Sequence, residues 1–156
     1  MSTKTAIPVA DLLRIVQEYY DSVDSRDAVR VADNYLVAPD TTLQFNADDP
    51  IVTVEAIKDF SAQLFQIASV KHTMIEVWNT PLMGDVVPVD LAPARSASTV
   101  TVVSTALPTF SVDTGSAVTH IAVPATSIFT IDIASQKFVS VHNMFDLAKV
   151  YAAVGN

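Results

Sequence analysis

The sequence predicts an α+β domain, with helices in its first half and a curved antiparallel sheet in its second half. Three observations predict this class. Apolar residues recur every three or four positions in the first half, apolar and polar residues alternate in the second half, and half of the 156 residues are hydrophobic while only 17% are charged. A chain of this length buries a real core, and we expect one domain over residues 1–156.

The first predicted helix runs from Pro8 to Ser25. Proline suits the first turn of a helix, where no N–H is needed. The apolar face of this helix consists of residues three or four positions apart: Leu12, Ile15, Val16, Tyr19 and Val23. A short second helix is predicted from about Asp27 to Leu36. It ends before Ala38-Pro39, because the residue that precedes a proline avoids the helical region.

A short strand and a third helix follow. The alternating segment Thr41–Asn46 predicts the strand, and Thr53 is the predicted N-cap of the helix. The apolar stripe of this helix is expected to contain Ile57, Phe60, Leu64 and Ile67.

The second half predicts four long strands and a closing helix. The strands are expected at His72–Asn79, Ser98–Leu107, Val118–Ile133 and Lys137–Phe145. Pro124 predicts a bulge or an edge within the third of these strands, and Asp146 is the predicted cap of the last helix. The segments Thr80–Ala97 and Pro108–Ala117 are expected to be long connections that form a mouth or lid.

This pattern predicts a cone-shaped sheet that is wrapped by the N-terminal helices around an apolar pocket. A strongly bent sheet with helices on one face leaves a conical cavity between them. The order of the predicted helices and strands therefore indicates that the functional site lies in the interior of the domain.

Composition argues against several classes of function. A net charge of −8 disfavours nucleic acid and anionic membranes as partners, and no apolar run reaches the length of a membrane span. Asp11 and Arg14 come too early for a secretory signal, so we expect a soluble cytoplasmic protein. Without cysteine there is no disulfide, thiolate nucleophile or zinc-thiolate site. Three scattered histidines and three glycines outside any phosphate-binding loop predict no metal and no cofactor.

The order of elements resembles the nuclear-transport-factor-2-like superfamily, which includes ketosteroid isomerase, scytalone dehydratase, limonene epoxide hydrolase and the SnoaL-like polyketide cyclases. The segment YYDSVDSRD with VAPDTTLQ is similar to scytalone dehydratase, and IVQEYY is similar to the first helix of ketosteroid isomerase. The end, KFVSVHNMFDLAKVYAA, resembles the last strand and closing helix of the superfamily. The resemblance implies a cone-shaped fold and chemistry inside its pocket.

The resemblance implies roles for five residues. Tyr19 falls on the oxyanion-hole tyrosine of the isomerase, Asp24 on an aspartate of the dehydratase, and His72 on the first catalytic histidine of the dehydratase. Ser127 falls near a dehydratase asparagine, and Asn143 on a catalytic aspartate of the hydrolase.

The departures from these enzymes are equally informative. Val23 and Phe45, or a neighbour, replace two substrate-holding tyrosines of the dehydratase. The strand Ser98–Leu107 lacks the second histidine, and TTLQFN lacks the isomerase carboxylate. The resemblance therefore does not imply the complete catalytic machinery of the isomerase, the dehydratase or the hydrolase.

Each candidate has a functional and a structural interpretation. Histidine exchanges protons near neutral pH, and a buried carboxylate on one ring nitrogen fixes its tautomer. His72 with Asp24 is therefore either an acid–base pair or a strand-end histidine bonded to backbone and water. Tyr19 is either an oxyanion donor or a core tyrosine, and Tyr20 takes its place if the helix phase differs.

Strand alternation assigns the remaining candidates to faces. Val141 and Asn143 are expected on one face and His142 on the other. His72, Met74, Glu76 and Trp78 are expected to share a face, which makes Glu76 a rival acid–base group and Trp78 a pocket wall for a flat ligand. His120 is interpreted as a structural sheet histidine.

The sequence hypothesis is an enzyme without cofactor that isomerises, dehydrates or cyclises an apolar polyketide- or terpenoid-like molecule. His72 and Asp24 would move the proton, with Tyr19 in the oxyanion role. The substrate would contact Asn143, Ser127, Phe45 and Trp78. One alternative is a binding module that uses the same pocket, and another is an interaction domain with a filled core. A homodimer is expected under all three hypotheses.

Overall fold

The computed structural model describes residues 7–79 and 99–154. The helices are α1 (Val9–Asp24), α2 (Ala28–Ala32), α3 (Val54–Ile67) and α4 (Leu147–Val154). The strands are β1 (Thr42–Phe45), β2 (Ile51–Val52), β3 (Ala68–Asn79), β4 (Thr99–Asp113), β5 (Val118–Ala122), β6 (Ala125–Asp132) and β7 (Phe138–Met144). The predicted connection Thr80–Ala97 lies outside the described residues.

The strands form a seven-stranded sheet in the order β2-β1-β7-β6-β4-β3, with β5 paired to β4 beyond the end of β6. The predicted α+β class with a curved, mostly antiparallel sheet is confirmed. The sheet is mixed rather than purely antiparallel, because β1 runs parallel to β7, with Phe45 opposite Asn143. This pairing brings the end of the helical half beside the last strand.

The first helix follows its predicted limits, but α2 is shorter than predicted. The side chain of Asp27 caps α2 by accepting the amide protons of Val29 and Arg30 at 3.0 Å. The helix does not reach Leu36, because the Leu36 amide donates to the Phe138 carbonyl and draws the chain towards β7. Sheet pairing has replaced the last predicted turn.

The third helix begins as predicted, with the Thr53 hydroxyl accepting the amide of Ala56 at 3.3 Å. Its buried residues are Ile57, Ser61 and Phe65, each four positions from the next. Ile67 is 46% exposed, so its expected place on the buried stripe is wrong. The helix ends at Ile67, and the chain continues directly into β3 at Ala68.

The expected loop at Pro108–Ala117 is also wrong, because β4 continues through Pro108 to Asp113. Pro108 lies opposite His72, whose amide points away from β4. On its other side the Pro108 carbonyl accepts the amide of Val123. The missing N–H of Pro108 therefore costs no ladder bond. The interruption predicted at Pro124 is confirmed as the break between β5 and β6.

The main core lies between α1 and the concave face of the sheet. Its fully buried side chains include Val16 of α1, Phe129 of β6 and Phe138 of β7. In a second, smaller apolar cluster, Val150 of α4 packs with Val70, Phe110 and Val123. No helix among the described residues is long and apolar enough to cross a membrane.

Candidate active site

A pocket lies between the concave face of the sheet and helices α1, α3 and α4. Its empty space, including the part of the mouth that is open to solvent, is about 790 Å³. Most of its wall is apolar and aromatic: Val23, Val31, Leu43, Phe45, Phe60, Leu64, Phe65, Val70, Pro108, Phe110, Ala125, Phe145 and Leu147. The polar side chains in the wall are Tyr19, Tyr20, Ser61, His72, Ser127, Asn143 and Tyr151.

The structure brings His72 and Asp24 together, although they are far apart in the chain. The Nδ1 atom of His72 lies 2.6 Å from Oδ1 of Asp24, and both side chains are nearly buried. Because Nδ1 is engaged by the carboxylate, Nε2 on the other side of the ring is the nitrogen available to a ligand. The pair therefore has the arrangement of a histidine oriented by a carboxylate.

Asp24 occupies a particular place, at the end of α1 and beside the outer edge of β3. Its two carboxylate oxygens lie 3.1 Å from the backbone nitrogen of His72, which donates away from the sheet. Oδ2 is also 3.0 Å from Nζ of Lys71. The carboxylate thus accepts from three donors on two adjacent residues of one strand.

The pKa of Asp24 reflects these contacts. Burial alone would raise the pKa of the Asp24 carboxyl, but the hydrogen bonds from His72 and Lys71 lower it below its ordinary value. Asp24 is therefore ionised at neutral pH and can stabilise a proton on His72.

A chain of buried polar groups crosses the floor of the pocket. The hydroxyl of Tyr20 lies 3.1 Å from Oγ of Ser104 and 3.4 Å from Oγ of Ser127. Ser127 donates to Oδ1 of Asn143 at 2.7 Å, and Nδ2 of Asn143 donates to the hydroxyl of Tyr19 at 3.4 Å. This polar chain, from Tyr20 to Tyr19, is a group of hydrogen-bond donors next to an apolar cavity.

Sheet register explains the polar chain. Ser104 on β4 pairs with Ser127 on β6, and Ser127 pairs with Asn143 on β7. Residues that are direct partners across a sheet share a face, so the three side chains form one row on the concave side. The two tyrosines of α1 lie over this row and complete it.

Both tyrosines are protonated at neutral pH. Burial raises the pKa of Tyr19 to about 12 and also raises the pKa of Tyr20. Tyr20 is the one that contacts His72, with ring centroids 4.6 Å apart, whereas Tyr19 packs against Phe129 and Phe138. The tyrosine that the sequence offers as the second choice therefore lies closer to the histidine.

The expected shared face of His72, Met74, Glu76 and Trp78 is wrong. A β-bulge between Thr73 and Glu76 adds a residue, and Met74 has φ of +51°. The added residue reverses the alternation, since successive side chains in a strand point to opposite faces. Trp78 is 55% exposed and Glu76 is also exposed, so Trp78 does not wall the pocket and Glu76 does not rival His72.

Phe45 and the other histidines can be placed as well. Phe45 lines the pocket, where its ring contacts those of Phe60 and Phe145. His142 points away from Asn143, as expected, and its Nε2 lies 2.6 Å from the carbonyl oxygen of Asn46. His120 is exposed beside Ser111. Within residues 7–79 and 99–154, no three potential metal ligands lie close together.

Two residues of the site were missed by the sequence interpretation. Ser104 belongs to the polar row, but its strand contains alternating Thr, Val and Ser, and only the register identifies the serine that faces inward. Lys71 precedes His72 and is 72% exposed, which is typical of any surface lysine. Its contact with Asp24 depends on tertiary structure.

Comparison of the fold with solved structures finds proteins of similar size and architecture. A candidate SnoaL-like polyketide cyclase from Shewanella denitrificans OS-217 has a TM-score of 0.68 and 12% identity, over 93% of this chain and 96% of that one. A protein with a ketosteroid isomerase-like fold from Catenulispora acidiphila DSM 44928, in complex with trimethylamine, has a TM-score of 0.65 and 17% identity over 90% and 92%.

An LEH-like epoxide hydrolase of M. tuberculosis has a TM-score of 0.60 and 8% identity, over 93% of this chain and 90% of that one. No protein-family model and no curated protein matches the sequence. At these identities the similarity concerns the fold. The chain has the nuclear-transport-factor-2-like fold that its order of elements suggested.

Proposed function

We propose that this chain is a cofactor-independent enzyme that isomerises, dehydrates or cyclises an apolar polyketide- or terpenoid-like molecule in natural-product biosynthesis. The observation that carries the proposal is the 2.6 Å contact between His72 and Asp24 in the wall of an otherwise apolar pocket. An ionised carboxylate is costly to bury unless it is hydrogen-bonded, and Asp24 meets this cost by binding the one histidine in the described lining of the pocket.

His72 would exchange the proton. Its Nε2 would remove a proton from a carbon next to a carbonyl group, or deliver one to a leaving hydroxyl. Asp24 would hold the ring in one tautomer and stabilise the imidazolium that forms during proton transfer. The ionised state of Asp24 supports this role.

The polar chain would hold the substrate oxygen on which negative charge develops. Tyr19 and the second N–H of Asn143 would donate to it. Ser127 fixes the Asn143 amide by donating to its Oδ1, and Tyr20 links this group to the ring of His72. Donors that are already fixed by one another need little reorganisation during reaction, which favours the transition state.

The wall of the pocket would select an uncharged ligand. No Asp, Glu, Lys or Arg is among the described residues that line it, so a charged substrate would lose its hydration without gaining a partner. Aromatic side chains, among them Phe45, would supply affinity through buried apolar area.

A binding module that uses the same pocket is the second candidate function. It is favoured by the fact that the described lining contains one histidine and no carboxylate, so His72 has no second acid–base side chain beside it in the pocket wall. This candidate predicts that His72→Ala leaves both the bound compound and its affinity nearly unchanged.

An untargeted turnover experiment separates the two candidates. Wild type, His72→Ala and the control His120→Ala are incubated with a metabolite extract of the source organism, and products are followed by mass spectrometry. The enzyme proposal predicts an isomer, or a product lighter by one water, with wild type and His120→Ala but not with His72→Ala. Retention of one unchanged compound by all three proteins would favour the binding module.

We also propose that the protein forms a homodimer through the outer face of the sheet. Trp78, Val103 and Ile128 are successive cross-strand partners on that face, and the tryptophan is exposed. An apolar row of this kind gains by being covered. Sedimentation velocity at micromolar concentration is expected to give a dimer for wild type and a monomer for Ile128→Lys. A monomeric wild type would contradict the proposal.

We place the proposed activity in the cytoplasm. The chain has no cysteine, so its folding requires no oxidising compartment. Cell fractionation with an antibody to the protein tests this assignment.

A further inference from the structure

We propose that Lys71 is a positioning residue, whose ammonium group holds the Asp24 carboxylate so that Oδ1 stays aligned with Nδ1 of His72. The inference rests on the proposed function, because it concerns the same acid–base pair. It assigns a role to a surface lysine that does not line the pocket.

The two oxygens of Asp24 have different partners. Oδ1 lies 2.6 Å from Nδ1 of His72, and Oδ2 lies 3.0 Å from Nζ of Lys71. The backbone N–H of His72 is 3.1 Å from both oxygens, so it anchors the carboxylate without choosing between them. Besides the imidazole, Lys71 is the donor that distinguishes the oxygens and opposes rotation of the carboxylate.

The position of β3 makes this contact possible. Lys71 and His72 are adjacent in a strand, so their side chains leave on opposite faces of the sheet. Both can bind one carboxylate only at an open strand edge, and among the described strands β3 is the last on that side of the sheet. Asp24 lies beside this edge, where it accepts from the imidazole and from the lysine that extends around the strand.

Other charged groups near Asp24 are directed elsewhere. On its own helix, Asp21 accepts a hydrogen bond from Gln17. Arg26, two residues further along the chain, donates to the carbonyl oxygen of Phe65. Among the described residues, Lys71 and His72 are thus the side chains that donate to this carboxylate.

An exposed lysine suits a positioning role because its removal leaves the core intact. Lys71 is 72% exposed while Asp24 is 8% exposed, so the ion pair joins solvent to a nearly buried group. Substituting the lysine changes the freedom of the carboxylate far more than it changes packing.

The test compares Lys71→Met, Lys71→Arg and the control Lys58→Met, in which an exposed lysine near Glu55 is removed instead. The tautomer of His72 is measured by long-range ¹H–¹⁵N NMR at a pH where the ring is neutral. Wild type, Lys71→Arg and Lys58→Met are expected to hold the Nδ1–H tautomer. Lys71→Met is expected to give a mixture of tautomers and an Nδ1 proton that exchanges faster with water. An unchanged NMR signature in Lys71→Met overturns the inference.

Turnover is then measured with the substrate that the extract experiment identifies. We expect Lys71→Met to lower kcat about three- to tenfold with KM changed less than about twofold, since loss of alignment affects the chemical step rather than binding. Lys71→Arg should restore kcat, and an equal loss in both variants overturns the inference. If the NMR signature changes but wild type turns over no metabolite, the proposed function fails while the positioning of Asp24 stands.

Discussion

At the scale of single residues, Asp24 links the stability of the protein to pH. Its pKa is lowered in the folded state, so it contributes stability above the ordinary pKa of an aspartate, about 3.9, and this contribution is lost as the pH falls through the lower folded value. The same contacts that would orient His72 therefore also stabilise the fold near neutral pH.

Asp24→Asn is expected to lower the free energy of unfolding at pH 7 by about 1–3 kcal/mol, because a charge-assisted hydrogen bond to His72 is lost. Below about pH 4 the difference from wild type should begin to shrink, because the carboxylate of the unfolded chain takes up a proton there, and it disappears as the pH falls through the lower pKa of the folded state. Urea unfolding from about pH 3 to pH 7 measures both effects. Asp21→Asn serves as the control, and a constant difference at every pH would contradict the explanation.

Ser127 is the central residue of the polar chain, because it accepts from Tyr20 and donates to Asn143. Ser127→Ala leaves the buried oxygen of Asn143 without its donor, and the expected loss of stability is about 1–3 kcal/mol. Ser104→Ala is the matched control. Ser104→Ala removes one acceptor of the Tyr20 hydroxyl, but that hydroxyl can still donate to Ser127. A smaller loss of stability is therefore expected in the same unfolding experiment. An equal loss of stability in Ser127→Ala and Ser104→Ala would contradict the central place of Ser127 in the polar chain.

At the scale of elements, the bulge in β3 decides which residues face the pocket. Met74, with its positive φ, lies at the bulge and lets His72, Ile75 and Val77 face inward although their spacing breaks simple alternation. Its side chain is exposed and takes no part in the core. The bulge at Met74 thus accommodates one additional residue of backbone without turning Ile75 and Val77 outward.

Deleting Met74 is therefore expected to be tolerated, as is changing its side chain. The deletion removes the bulge, so that Thr73, Ile75 and Glu76 alternate regularly opposite β4 while Ile75 and Val77 still face inward. The free energy of unfolding is expected to change by less than about 1 kcal/mol. Met74→Gly should be neutral or stabilising by up to about 1 kcal/mol, because glycine tolerates positive φ. Thermal unfolding of these variants, with Met74→Ala as control, tests this, and a deletion variant that fails to fold would contradict the assigned register.

Elements were predicted from the sequence where burial imposes a period, as in α1 and in the strands that contain Ile128 and Val141. Prediction failed where tertiary contacts decide. Predicting the strand through Pro108 requires knowing that its nitrogen, which carries no hydrogen, faces the break between β5 and β6. The short α2 reflects the hydrogen bond from the Leu36 amide to the Phe138 carbonyl. The bulge at Met74 could not be predicted, because the sequence has no glycine at this position.

At the scale of the whole molecule, the fold brings distant segments into one site. The pairing of residues 24 and 72 came from resemblance to a superfamily, because nothing in their spacing places a helix end at a strand edge. The row of Ser104, Ser127 and Asn143 depends on sheet register, which local pattern does not supply. The residues of the site were thus partly foreseen, and their mutual geometry required the structure.

The molecule as a whole places His72, bound to Asp24, in the wall of a mostly apolar pocket, and proton transfer by His72 is the central claim. Solvent deuterium uptake tests it most directly. Wild type and His72→Gln are incubated in D₂O with the metabolite extract, and recovered compounds are examined by mass spectrometry. The account predicts that at least one uncharged metabolite gains deuterium, or is converted, with wild type and not with His72→Gln. Identical spectra for the two proteins would contradict acid–base catalysis at His72.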